Sequence, residues 1–240
     1  MELQVLFIIC LGVFLGFFIQ TIIGFAGALV ALPILLLVIG LPDAIAYISI
    51  FYLCSSIYLI SKEWENIDRK IIIRLAIASI FGIALGIWVL SHGKPLYLKK
   101  GLGIFILIYV VYTMYSNMKI CNQSKFEFIF GFFGGFFSGL FSVGGPLYVI
   151  IVKNTAIDIK TFRATMLGII GFVTLVRVPI LCLEGILNFN HLYYSLYIFP
   201  FFILAVYLGK RMYLKLNESI LRKGVILLLL LSGFVLTFKS

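Results

Sequence analysis

Long apolar runs follow one another through this chain with almost no charge inside them, and that leaves lipid as the solvent for most of it. Hydrophobic residues make up 63% of the sequence and charged ones 12%, against about 25% charged in a soluble domain. Eight runs can be read, at residues 3–41, 44–61, 71–91, 98–118, 128–152, 162–183, 192–209 and 220–238. Most have the length of a helix that crosses about 30 Å of hydrocarbon. The expected fold is an all-α polytopic membrane protein, a single membrane domain over residues 1–240.

The charges fit that reading. All nine acidic residues lie at the edges of apolar runs: Glu2, Asp43, Glu63, Glu65, Asp68, Glu127, Asp158, Glu184 and Glu218. A carboxylate at mid-bilayer is expensive, so this placement is the expected one. The net charge of +10 comes from Lys and Arg clustered in short loops, which reads as the positive-inside bias and not as a nucleic-acid footprint. Cys10, Cys54, Cys121 and Cys182 show no disulfide framework or zinc spacing, so no metal and no cofactor are expected. There is no phosphate-binding loop for ATP. The start, Met1-Glu2-Leu3, lacks a positive region and reads as the opening of the first membrane segment, not as a signal peptide.

The first and fifth runs differ from the others, because each is interrupted by a glycine cluster. The first cluster is Gly24-Phe25-Ala26-Gly27-Ala28; the second, 118 positions later, is Ser142-Val143-Gly144-Gly145-Pro146. Glycine in a helix interior costs about 1 kcal/mol and proline about 3. A backbone break inside lipid is tolerated only where protein buries it or a wet cavity meets it. Paired breaks of this kind point to a transport site. Other echoes keep the same order. Leu98-Lys99-Lys100-Gly101 returns as Leu221-Arg222-Lys223-Gly224, and Asn66-Ile67-Asp68 as Asn188-Phe189-Asn190. The chain is therefore read as two four-segment repeats, 1–118 and 126–240, joined by a hinge at 119–125. If all eight runs cross, Lys and Arg outside Arg177 divide 11 to 7 between the two sides. If the two broken runs re-enter and return, the division is 14 to 4, which follows the positive-inside rule better and makes the repeats inverted.

Candidate site residues gather at the breaks. Gly144 and Gly145 stand where a half-helix would begin and turn its N–H groups toward an anion. Ser138 and Ser142 add hydroxyls. In the first repeat Gln20, aligned with Ser138, precedes Gly24 and Gly27. Arg177 lies well inside a run, seven residues before Glu184, too far for direct pairing on a straight helix. The alternative roles are packing for the glycines, interhelical bonding for Gln20 and snorkelling for Arg177. The spacing of Gly131, Gly135 and Gly139 itself predicts close helix packing.

These residues resemble the TauE/SafE sulfite exporter family, also known as the four-toluene sulfonate uptake permeases. The resemblance runs through Gly16-Phe17-Phe18, the cluster from Gly24 to Ala28, Pro33, the cluster from Gly134 to Pro146, and Phe162-Arg163-Ala164-Thr165, with the Lys-Gly openings of the fourth and eighth runs. It implies a multi-pass permease of the bacterial inner membrane that moves sulfur-containing anions. Ala26, Ala28, Ser142 and Pro146 depart from the family's preference for glycine. The expected function is secondary transport of a small anion, such as sulfite or an organosulfonate, bound between the breaks by Gln20, Gly24, Gly27, Ser138, Ser142, Gly144, Gly145 and Arg177. The expected partners are that anion and the lipid bilayer, with no nucleic acid. A coupling ion, proton or sodium, is not assignable to residues, and a homo-oligomer is compatible with the sequence. The alternatives are a non-transporting assembly subunit and, more remotely, an intramembrane protease, which would need Ser138 beside a deep His; His92 and His191 both lie at run edges.

Overall fold

The computed structural model describes residues 3–115, 123–155 and 158–213, together with 226, 227, 229, 230, 233, 234, 236 and 237. Most of the hinge placed at 119–125 and the opening of the eighth run at Leu221 to Gly224 fall outside the described residues. The described chain is helical throughout: α1 Leu3–Ile23, α2 Gly27–Leu35, α3 Leu41–Glu63 with a 3-10 turn at Trp64–Asn66, α4 Arg69–His92, α5 Pro95–Tyr115, α6 Gln123–Phe141, α7 Gly145–Thr155, α8 Ile159–Leu183 and α9 Phe189–Met212. Among the described residues, six helices are long and apolar enough to cross a membrane; Glu127–Phe141 of α6 is a shorter apolar helix.

The edge carboxylates and amides start these helices. Asp68 accepts from the N–H groups of Lys70 and Ile71 at the head of α4. Asp158 accepts from Thr161 at 2.6 Å at the head of α8, and that bond holds its carboxyl below the usual carboxylate range. Asn188 and His191 form a reciprocal capping box on α9. Basic residues close several helices, Lys62 on α3 and Lys210 with Arg211 on α9, where they complement the helix dipole. The membrane thus decides where charge sits, and helix capping uses it there.

Each membrane helix has two faces. On α4, Ile73, Ile77, Phe81 and Trp88 point outward, whereas Leu75, Ser79, Gly82, Ile83 and Gly86 point inward. The inward face meets α6. Gly131, Gly135 and Gly139 lie against the backbone of Leu75, Ser79 and Ile83, in that order, so the two helices run parallel. A Cβ on Gly135 would collide with the Ser79 carbonyl. The four-residue spacing in the sequence is the packing surface it predicts.

Residue order at the other contacts gives the remaining directions. Gly12, Gly16 and Gly27 pair α1 with α2 as an antiparallel hairpin: Gly12 meets Leu35, Gly16 meets Ala31, and Gly27 meets Gln20. The pair α6 and α7 is a second such hairpin, with Gly134 against Tyr148 and Ser138 against Gly144. Helix α1 runs parallel to α9, with Phe17 on Phe202 and Thr21 on Gly209. Helices α3 and α8 cross antiparallel at the centre, with Glu63 near Arg163, Ser56 near Gly171 and Tyr52 near Arg177.

Candidate functional site

Both helix interruptions fall in the glycine clusters, and both are made the same way. Helix α1 ends on Gly24, whose φ is +98° and whose N–H donates to the Gln20 carbonyl at 2.7 Å. Helix α6 ends on Ser142, whose φ is +63° and whose N–H donates to the Ser138 carbonyl at 2.9 Å. A left-handed residue is a common way to stop a helix, and glycine adopts it freely. Ser142 holds it with a side chain, at a cost of about 1 kcal/mol. Strain of that kind collects at functional positions.

The two turns meet. The bare face of Gly145, the first residue of α7, lies against Phe25 in the first turn. Between them is an enclosed cavity lined by Phe25, Tyr52, Ser138, Ser142, Gly145, Ile170, Val173, Thr174 and Arg177. Its volume of about 10 Å³ is the room of one water molecule. A solute larger than water does not fit it in this conformation.

Helix α8 carries two buried arginines, and each caps one broken helix. Arg163 is 4% exposed, and its Nε and Nη2 donate to the Thr21 carbonyl at 2.9 and 2.7 Å. Arg177 is 1% exposed, and its Nη1 donates to the Ser138 carbonyl at 2.9 Å. Arg163 therefore satisfies a carbonyl that the break after α1 leaves open, whereas Arg177 adds a second hydrogen bond to a Ser138 carbonyl that the Ser142 N–H already meets. Their charges are treated differently. Arg163 Nη1 pairs with the Glu63 carboxylate, and its guanidinium stacks 4.3 Å from the Tyr213 ring. Among the described residues no carboxylate pairs with Arg177, and its Nε and Nη2 are buried without a partner. The Ser142 hydroxyl beside it is likewise unpartnered. Tyr52 offers Arg177 a ring face at 5.8 Å, which is a weak substitute for an anion. A buried cation without a counter-charge is costly, and a bound anion removes that cost.

Of the residues singled out in the sequence, Ser138, Ser142, Gly145 and Arg177 come together at this cavity. Gly144 packs on Ser138 immediately behind it. The residues singled out in the N-terminal half take other places. Gln20 is fully buried and donates from its amide to Ser55 at 3.3 Å, Gly27 lies against the Gln20 side chain, and Gly24 lies against Arg163. The N-terminal half reaches the cavity instead through Phe25 and Tyr52. The sequence did offer a signal for Tyr52, a tyrosine in the middle of an apolar run, unlike the tyrosines near run ends that read as interfacial anchors. Thr174 could be found from its place one helical turn before Arg177. The burial of Arg163 had no such signal, because it stands at a run edge among exposed lysines. The histidines lie elsewhere: His191 faces Asp43 at 3.1 Å, and His92 faces Ser91 at 2.8 Å.

Residues 8–236 match the family model described as Sulfite exporter TauE/SafE. No curated protein and no solved structure matches the chain.

Proposed function

The chain belongs to the TauE/SafE sulfite exporter family, whose members are membrane transporters, and from that premise we propose that it carries a small sulfur oxyanion or organosulfonate, such as sulfite, through a site built around Arg177. The observation that carries this reading is the buried Arg177 guanidinium, with Nε and Nη2 unpaired beside an unpaired Ser142 hydroxyl. The anion sits against those donors and the start of α7 at Gly145, where the helix dipole adds to the attraction. Gly144 and Ser138 shape the turn that presents them. Gln20, Gly24 and Gly27 shape the opposite turn.

The finer architecture we propose is two inverted repeats whose broken segments re-enter the membrane. Four contacts support it. Glu63 pairs with Arg163, the Asp68 N–H donates to Thr165 at 3.0 Å, Arg74 pairs with Glu127 at 3.5 Å, and Tyr213 stacks on Arg163. These bring the end of α3, the starts of α4, α6 and α8, and the end of α9 to one face. Eight simple crossings would put the regions around 62–74 and 153–163 on opposite faces. With the broken segments returning as hairpins, the same basic regions share a side, as the 14 to 4 division of Lys and Arg favours. The antiparallel crossing of α3 and α8 also suits an axis lying in the membrane plane. The compartment proposed is a bacterial cell membrane, with the basic face cytoplasmic.

A thermal-shift screen of the purified chain with sulfite, thiosulfate, sulfoacetate and taurine tests the substrate class. At a hundredfold excess over Kd, the binding anion stabilises the fold by about 2.7 kcal/mol and raises the unfolding temperature. No shift with any of the sulfur anions contradicts the reading.

A further inference from the structure

The start of α7 lines the cavity at Gly145, and the start of α2 lies behind its wall, already occupied by a residue of that wall. The N–H of Ala28, the second residue of α2, donates to the Tyr52 hydroxyl oxygen at 2.7 Å. Tyr52 is 2% exposed, comes from the middle of α3, and shares the cavity wall with Arg177 and Ser142. A phenol oxygen on a first-turn N–H stands where an anion oxygen stands at an open helix start. The second half lacks this plug. At the same 118-residue offset that relates Gly24 to Ser142, Tyr52 corresponds to Ile170, which also lines the cavity and has no oxygen to offer, and Ala28 corresponds to Pro146, which has no N–H to be plugged. One start is thus closed by the protein's own hydroxyl, and the other faces Arg177 with its unpaired donors.

We propose that Tyr52 is an internal stand-in for the substrate: its hydroxyl holds the α2 start while the site is closed, and the transported anion displaces it to bridge the Ala28 N–H and the Arg177 guanidinium. This rests on Arg177 being the anion's counter-charge. It implies a substrate with at least two acceptor oxygens, one for each half of the molecule, and it makes Tyr52 the residue that sets affinity by competing for the same donor. Binding then joins the two turns through the anion, where before they touched through Phe25 and Gly145. Weak binding by design suits a carrier, which must also release its cargo.

Sulfite titrated calorimetrically into the purified full-length chain and into Tyr52→Phe tests this. The variant keeps the ring and removes the competitor, leaving the Ala28 N–H unpaired until the anion arrives. Its Kd is expected to fall by about five- to tenfold. Tyr52→Met, which removes the hydroxyl in a different shape, is expected to tighten binding in the same direction. A Kd unchanged or weakened in a variant that keeps its unfolding transition overturns the proposal. Arg177→Met, titrated alongside, separates the two ideas. If it abolishes sulfite binding while Tyr52→Phe leaves Kd unchanged, the Arg177 site stands and the role of Tyr52 falls. If the unaltered chain binds none of sulfite, thiosulfate, sulfoacetate and taurine, both fall; if it binds one of the others, that anion replaces sulfite in the same three titrations.

Discussion

The contrast between Arg163 and Arg177 shows how one residue type does two jobs on one helix. Both cap a broken helix, and both are almost wholly buried. Glu63 neutralises the first, so its work is structural, tying the end of α1 to α3 and α8. Removing it strands a carboxylate that is 18% exposed and frees the Thr21 carbonyl. Arg163→Met is therefore expected to lose about 3 kcal/mol of stability, read as a lowered denaturant midpoint in detergent, with Glu63→Gln giving a smaller loss. A midpoint unchanged in Arg163→Met would remove the clamp. In the sequence Arg177 stood out because a charge in an apolar run is rare. Arg163 entered only within the resemblance motif Phe162-Arg163-Ala164-Thr165, because membrane proteins place many exposed arginines at run edges and only the folded contacts show that this one is buried. Tyr52 was marked by its place in mid-run, but its partner was not, since Ala28 lies 24 positions away with no charge to mark the pair.

At the scale of helices, glycine is used in two ways, and the sequence separated them by spacing. The row Gly131, Gly135, Gly139 is a packing stripe, and the clusters at 24–28 and 142–146 are stops. The stripe leaves no room: Gly135→Ala places a methyl group against the Ser79 backbone and is expected to cost about 1–3 kcal/mol and to lower the unfolding temperature. Gly101→Ala is the control, since among the described residues its Cβ would meet only the Phe141 ring at an ordinary 3.8 Å, and it is expected to leave the unfolding temperature unchanged or raised. Equal losses at both sites would contradict the packing stripe. What spacing alone did not give was the path after each stop. The 21 residues of α1 are enough by themselves to cross a bilayer, while the nine of α2 rise only about 13 Å. That α2 returns alongside α1 depends on Gly12 and Gly16 admitting Leu35 and Ala31, a contact no periodicity announces.

At the scale of the whole molecule, the pairings repeat with the halves exchanged. Helix α1 lies along α9 as α6 lies along α4, and α3 meets α8 at the centre. The cavity sits at that centre, and the two halves fill it unequally: the second supplies Arg177, Ser138, Ser142 and Gly145, the first an aromatic wall of Phe25 and Tyr52. The common basic face is a proposal that starts from charge in the loops, and the contacts of Arg163, Arg74 and Thr165 are what support it. The inequality inside the cavity was legible only in part, since Ser142 and Arg177 differ visibly from Gly24 and Leu59, the residues 118 positions before them, whereas Tyr52 against Ile170 becomes meaningful only once both line one space. The proposed transport depends on the unneutralised charge at the centre. Its most direct test is sulfite flux into proteoliposomes holding the unaltered chain or Arg177→Met, with folding of both verified by their unfolding transitions. The prediction is a loss of flux of at least about tenfold in the variant, the least that losing a charge-assisted hydrogen bond to the anion should cost. Flux equal to that of the unaltered chain in folded Arg177→Met would contradict it.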